Sequence, residues 1–328
     1  MGKKLNVGLY GQRGHQIAGI LYNYKDAQIG AVCSVSDAFK NEICAKCENE
    51  VAAYSTLEEM LRDESLDLIS LCSPNRKNQA KEVIECLRAG KHVYAEKPAA
   101  FSEQELDEIL KTALHCKKEF HEIADSVFTE PYWTARKLVR SGKIGEVVQV
   151  YVQKSYPLNA DTRPQDEDTD GGLIRQAGIH AIRFLEHITG IYVDDVKACQ
   201  THLGNITPDK GLYTASSWLM KLSNGGLASA CVNYLNPKGF GKWGNESVRI
   251  FGTEGMLEIT DGGRRTHLYT QNGDEGELDI QNSDCREYFY LITEHLLYGK
   301  ELPMTQEEEL HPLRVVIRAF DSAVNLEK

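Results

Sequence analysis

Short apolar runs alternate with amphipathic stretches over the first third of the chain. "LNVGLYG", "QIGAVCSVS", "LDLISLCSP" and "KHVYAE" carry the near-continuous hydrophobicity of buried strands, and between them "HQIAGILYNY", "DAFKNEICAKC", "TLEEMLRD" and "QAKEVIECLRAG" place apolar residues at helical spacing. Such alternation dictates right-handed crossovers and a parallel sheet. Local signals mark the ends: Thr56 with Glu59 three residues on has the pattern of a capping box, and Gly90 after "IECLRA" reads as a helix stop.

The period changes near residue 145. "EVVQVYVQKSY", "DVKACQTHL", "TASSWLMKLSNGGLASACVNYL" and "ESVRIFGTEGMLEIT" follow a two-residue alternation, and Asn224 to Gly226 mark a hairpin turn. One helix, "LIRQAGIHAIRFLEHITG", precedes most of these strands, and two around "REYFYLITEHLLYG" and "TQEEELHPLRVVIRAFDSAVNLE" close the chain. The expected fold is α/β: a doubly wound parallel sheet of Rossmann type over residues 1–122, then an α+β domain over 123–328 with a large, mostly antiparallel open sheet. The acidic segment "NADTRPQDEDTDGG" is the one long biased loop; it reads as solvated, with a lid on a site as the alternative.

Composition sharpens this picture. A chain of 328 residues with 41% hydrophobic and 26% charged residues is that of a soluble protein with two cores. Lys and Arg number 37 against 48 Asp and Glu, and the net charge of -11 argues against a nucleic-acid or anionic-membrane partner. The N-terminus enters a strand with no apolar signal core, and no run approaches the ~18 apolar residues of a membrane span. Nine scattered cysteines suit reduced thiols, so the cytoplasm is the expected compartment. Cys44 and Cys47 form one C-x-x-C with no second pair or histidine nearby, and no metal site is expected.

Candidate chemistry begins at the first strand–turn–helix, "VGLYGQRGHQIAG". With Gly11 as the first glycine of G-x-G-x-x-G, Arg13 takes the second position and Gln16 the third, while Gly14 is extra. Free N–H groups at a helix start there would receive phosphate. The acid that usually bonds the adenosine ribose is missing: "GAVCSVSD" ends its strand at Ser34, and Asp37 reads as the cap of the next helix. With Arg13 close by, the cofactor leans toward NADP, although a strand end a few residues further on would restore Asp37 as the ribose ligand and NAD.

Several motifs jointly resemble the glucose-fructose oxidoreductase, inositol dehydrogenase and rhizopine-catabolism (Gfo/Idh/MocA) family. They are "VGLYGQRG", "CSPN" at Cys72–Asn75, "AGKHVYAEKPAA" at Ala89–Ala100, "ARKLVRSGKIGEV" at Ala135–Val147, "GGLIRQAGIHAI" and "IFGTEGMLEI". The resemblance implies NAD or NADP held by Gly11, Gln12, Arg13, Gly14, Ser34, Ser73, Pro74, Asn75, Glu96 and Lys97. It implies Lys97 and His180 as catalytic residues, with Lys97, Gln176, His180 and Arg183 binding a sugar, cyclitol or related polyol. It also implies a cis peptide at the proline of E-K-P and a dimer or tetramer built through the C-terminal sheet. A surface ion pair of Glu96 with Lys97 is the competing reading of that segment, and alternation at a strand end opposes it.

The chain departs from the family helix pattern G-G-G-x-x-x-D-x-G-x-H-x-x-D. Gly171, Gly172, Gly178 and His180 stand, but Asp170, Gln176 and Arg183 replace a glycine and two aspartates, and Asn78 stands where many relatives carry histidine. At four before and three after His180, Gln176 and Arg183 would share its helical face. Glutamine cannot raise the histidine pKa as a carboxylate does. The expected activity is hydride exchange between nicotinamide and a secondary alcohol or ketone; a non-catalytic dinucleotide or sugar sensor, and an enzyme that oxidises a sugar transiently to permit elimination, are the alternatives.

Overall fold

The computed structural model describes residues 4–205 and 211–325. The chain divides into two compact units, one running to Ile123 and including Phe289–Met304, the other comprising Ala124–Tyr288 and the chain from Thr305.

The first unit is built on β1 (Leu5–Tyr10), β2 (Ala27–Cys33), β3 (Ala52–Tyr54), β4 (Leu68–Leu71), β5 (His92–Ala95) and β6 (Phe120–Glu122), all parallel in the order β3-β2-β1-β4-β5-β6. Leu68–Leu71 is wholly buried, as expected of a strand covered on both faces, with its one polar side chain, Ser70, donating its hydroxyl to Gln16. Sequential strands diverge from β1, so β1 and β4 flank the point where the winding reverses, the crevice in which such sheets take ligands.

Helices α1 (Ala18–Leu21), α2 (Asp37–Lys46), α3 (Leu57–Leu61), α4 (Gln79–Arg88) and α5 (Glu103–Cys116) connect these strands. Three local expectations need correction. The stretch "HQIAGILYNY" forms only the single turn α1, so no long helix opens at the glycines. Ser36, not Asp37, caps α2, its hydroxyl accepting the Phe39 N–H at 3.3 Å. Thr56 caps α3 through the Glu59 N–H at 3.2 Å, but Glu59 takes the N–H of Ser55 at 3.0 Å instead of returning to Thr56. The reciprocal capping box is at Ser102 and Glu105, which open α5. Gly90, at φ 77°, follows α4 in the left-handed region, where it stops the helix.

In the second unit α6 (Tyr132–Arg140), β7 (Val147–Ser155), α7 (Glu167–Asp170), α8 (Gly178–Thr189) and β8 (Val193–Thr201) precede the hairpin β9 (Ala215–Leu222) and β10 (Leu227–Asn233). Strands β11 (Ser247–Gly252), β12 (Gly255–Thr260), β13 (Arg265–Thr270) and β14 (Gly273–Gly276) follow; after α9 (Tyr288–Tyr298), which from Phe289 belongs to the first unit, come α10 (Gln306–Ser322) and β15 (Val324–Asn325) of the second. The nine strands form one sheet, antiparallel except where β7 meets β10 and β8 meets β15. Every residue of α8 is buried. Its C-terminal end is held by Arg136, which donates to the His187 carbonyl and, at 2.7 Å, to Glu308 on α10. His187 is spent on the same lock, its Nε2–H meeting the Glu308 carbonyl at 2.9 Å, and burial keeps the ring neutral.

The boundary read from sequence placed everything after residue 122 in one domain. From Phe289, however, α9 packs in the first unit: Phe289 lies against Tyr94 at 5.3 Å, Tyr290 stacks on Tyr24 at 4.0 Å, and the Tyr298 hydroxyl donates to Asp26 at 3.0 Å. Amphipathic periodicity shows that a terminal helix must be covered and is silent on which core covers it.

Candidate active site

The turn after β1 can be occupied only by glycine at two places. A Cβ at Gly11 would stand 2.0 Å from the Cys72 carbonyl oxygen, and one at Gly14 would stand 2.7 Å from the Glu96 carboxyl carbon, with φ at 69° and 107°. Gln16, a departure from the glycine fingerprint, braces the turn: its Nε2–H donates to the Gly11 carbonyl at 2.9 Å, and its Oε1 accepts the Ser70 hydroxyl at 2.6 Å. Arg13 Nε donates to the Pro74 carbonyl at 2.9 Å, joining the turn to the Ser73–Asn75 segment after β4. Gln12 accepts the Ser36 N–H at 2.7 Å and joins it to the loop after β2. Ser34 is the first residue beyond β2, exposed, at φ 54°. Asn75 accepts the Lys77 N–H at 3.0 Å, starting a short 3-10 turn.

The E-K-P segment lies beyond β5, with a cis bond between Lys97 and Pro98. Lys97 Nζ is 3.6 Å from Glu96 Oε1, and both side chains are buried, at 2% and 0% exposure. The ion pair discounted on strand alternation therefore exists, buried instead of superficial, because β5 has ended at Ala95 and alternation no longer constrains the two residues. Glu96 also accepts the His15 N–H at 2.8 Å, and His15 Nδ1 lies 3.1 Å from each carboxylate oxygen. Burial alone would raise the Glu96 pKa; the charges of His15, Lys97 and Arg76 outweigh it and hold the carboxyl well below the usual range.

Residues that the sequence reading missed hold this segment. Buried Gln79 donates to the carbonyls of Glu96 and, at 2.9 Å, Pro98, while Glu122 accepts the Ala99 N–H at 2.8 Å. Arg76, 1% exposed, donates to the Arg13 carbonyl at 2.8 Å. Their signal was present as polar side chains at positions that helical and strand patterning assigns to the interior.

In the second unit a π-turn, Leu173–Ala177, leads into α8. The face expected to unite Gln176, His180 and Arg183 assumes unbroken α-geometry; the wide turn ends between Gln176 and His180, so only His180 and Arg183 keep that relation. His180 Nδ1 is 2.7 Å from the Ser126 hydroxyl. Ser126 thus orients the imidazole without the charge of a carboxylate. Gln176 is half-buried and Arg183 is fully buried. The acidic loop is more than a solvated strand connection, since Arg163 within it donates to Asp170 at 2.8 and 3.1 Å and lies 4.2 Å from the Tyr234 ring centre.

A parallel six-stranded sheet with a glycine turn at its reversal point, followed by a unit built on a large mixed sheet, defines a two-domain nucleotide-dependent oxidoreductase architecture. Residues 5–122 match the family model described as oxidoreductase family, NAD-binding Rossmann fold, and residues 132–258 match the GFO/IDH/MocA C-terminal domain. The chain belongs to the GFO/IDH/MocA family and is an oxidoreductase with an NAD-binding Rossmann fold. It is 26% identical over 250 residues to the uncharacterized oxidoreductase YrbE of Bacillus subtilis, covering 74% of this chain and 69% of that one. It is 24% identical over 296 residues to the scyllo-inositol 2-dehydrogenase (NADP(+)) IolW of the same organism, covering 81% and 79%. Among solved structures, the aldose-aldose oxidoreductase of Caulobacter crescentus shares the fold with a TM-score of 0.81 at 17% identity, over 98% of this chain and 97% of that one. All nine cysteines are unpaired, and among the described residues no helix is long and apolar enough to cross a membrane.

Proposed function

We propose that the chain oxidises or reduces a secondary alcohol or ketone of a sugar, cyclitol or related polyol with NAD or NADP. The observation that carries this reading is the buried Glu96–Lys97 pair, tied through His15 to the glycine turn at the reversal point of the sheet. The turn is placed to take a dinucleotide because it follows β1 at the reversal point of the sheet, and its glycines let it pack against Cys72 and Glu96. Gly11, Gln12, Arg13, Gly14, Ser34, Ser73, Pro74 and Asn75 would hold it, with the loop and Arg13 meeting the phosphates because α1 is a single turn. When bound, the nicotinamide supplies the hydride acceptor or donor.

Lys97 orients the reacting oxygen and stabilises its alkoxide character. An ammonium shielded from water is more effective at this than an exposed one. His180 takes or returns the hydroxyl proton, with Ser126 fixing its ring. Gln176, half-buried, binds the substrate, whereas the expected contact of Arg183 with an anionic substituent is opposed by its complete burial beside His187. The similarity to an inositol dehydrogenase supports the cyclitol class. The outward face of the second sheet, with Leu219 72% and Leu227 59% exposed on neighbouring strands, supports association with a second copy.

Incubating the protein with NAD or NADP and a panel of polyols, followed by reduced-nicotinamide absorbance, tests the reading: reduction with at least one substrate is expected. Tight cofactor binding without reduction across the panel would overturn it. Gln176 in place of a carboxylate favours the second reading, transient oxidation that permits elimination, which product analysis would reveal.

A further inference from the structure

Tyr10 and Glu82 form a hydrogen-bonded pair at the carboxyl edge of the first sheet, beside Ser34, that the chemistry above does not use. Tyr10 ends β1, and its hydroxyl donates to Glu82 Oε1 on α4 at 3.0 Å. Ser34, directly after β2, lies beside the Tyr10 hydroxyl, while Ser73, after β4, lies beside Glu82 and donates its own hydroxyl to the Asn75 carbonyl at 2.7 Å. These groups stand at the ends of β2, β1 and β4, the three adjacent strands around the reversal point where a dinucleotide would lie. Burial and the Glu82 charge hold the Tyr10 phenol protonated, so it remains a donor toward the carboxylate. Arg13, the cation invoked for a 2′-phosphate, directs its Nε–H to Pro74, and Arg76 directs its guanidinium to Gln79 and the Arg13 carbonyl.

We propose that Glu82, hydrogen-bonded to Tyr10 at the end of β1, supplies from α4 the negative charge that makes the protein prefer NAD to NADP. In other dinucleotide-binding sheets a carboxylate at the end of the second strand has that role. A search confined to the end of β2 cannot find Glu82, which is why the sequence leans the other way. The inference rests on the dinucleotide reading above.

Calorimetric titration of wild type, Glu82→Gln and Tyr10→Phe with NAD and NADP tests it without any substrate. Wild type is expected to bind NAD about tenfold or more tightly than NADP, and Glu82→Gln to narrow that ratio about tenfold, chiefly by tightening NADP. Tyr10→Phe, which breaks the hydrogen bond and keeps the carboxylate, is expected to weaken NAD about threefold. An unchanged ratio in Glu82→Gln, an unchanged NAD affinity in Tyr10→Phe, or a wild-type preference for NADP overturns the inference while leaving dinucleotide binding intact. Binding of neither cofactor to wild type overturns both.

Discussion

Glu96 accepts the backbone N–H of His15 at 2.8 Å across 81 residues of sequence, and the same carboxylate stands 3.6 Å from the ammonium of Lys97. One buried charge therefore shapes the glycine turn and balances the proposed catalytic cation. Glu96→Gln keeps the shape and removes the charge. Breaking a buried pair leaves the other ion uncompensated, so the variant is expected to lose about 3 kcal/mol of unfolding free energy and to bind dinucleotide about tenfold more weakly. Urea denaturation and calorimetry check the two effects, and unchanged values in both would mean that the turn holds itself.

Lys97→Ala is expected to lower turnover about 10²-fold or more while cofactor affinity changes little, the signature of a group that acts on the reacting oxygen. Near-normal turnover would remove Lys97 from the mechanism.

His180→Ala is expected to cost a similar factor, less if water replaces the imidazole. Ser126→Ala, which removes the hydroxyl 2.7 Å from Nδ1, should cost about tenfold in turnover and shift the pH–rate profile, because the imidazole loses its orienting partner. A Ser126→Ala profile that overlays the wild type would show that the hydrogen bond has no part in the proton step.

The layered architecture was legible in the sequence because hydrophobic period reports burial directly: the mostly apolar β4 and the alternating β9 and β10 each allow one environment. Helix length at the glycine turn was not legible, since "HQIAGILYNY" has helical spacing and yet Gln16 fastens its first residues to Gly11 and Ser70 as a loop. Lys97 and His180 could be singled out by motif, but the partners Gln79, Glu122, His15 and Ser126 come from distant segments. Only the folded chain supplies those distances.

Gly178 is another residue whose reason appears only in three dimensions. A Cβ there would lie 2.4 Å from Cη2 of Trp218, which is buried and fixed by donating its indole N–H to Ser216 at 2.7 Å. Gly178→Ala should therefore overpack the interface of α8 with β9, costing about 1–3 kcal/mol and lowering activity by shifting His180. Gly19→Ala in α1, where nothing lies within 4 Å of the added carbon, is the control and should be neutral or slightly stabilising. Similar thermal midpoints for the two variants would contradict the packing argument.

The last expectation concerns pH. His92 Nδ1 accepts the Glu119 N–H at 3.1 Å, which requires a bare lone pair, and burial, aided by the Lys118 charge, pushes the imidazole down to about 4. In the unfolded chain this group titrates near its ordinary 6.5, so between these values the unfolded state takes up the proton first. The His92 contribution is thus complete above 6.5 and is lost as pH falls toward about 4. Glu119 does not confuse the reading, because its hydrogen bond with His121 outweighs partial burial and holds the carboxyl down at about 2, leaving it ionised throughout that window. Urea unfolding of wild type should lose on the order of 1–2 kcal/mol between about pH 7 and about pH 5 through this group. His92→Asn, whose amide oxygen can accept the same N–H without titrating, should show a smaller loss; parallel pH dependences for the two proteins would exclude His92 as the acid-sensitive group.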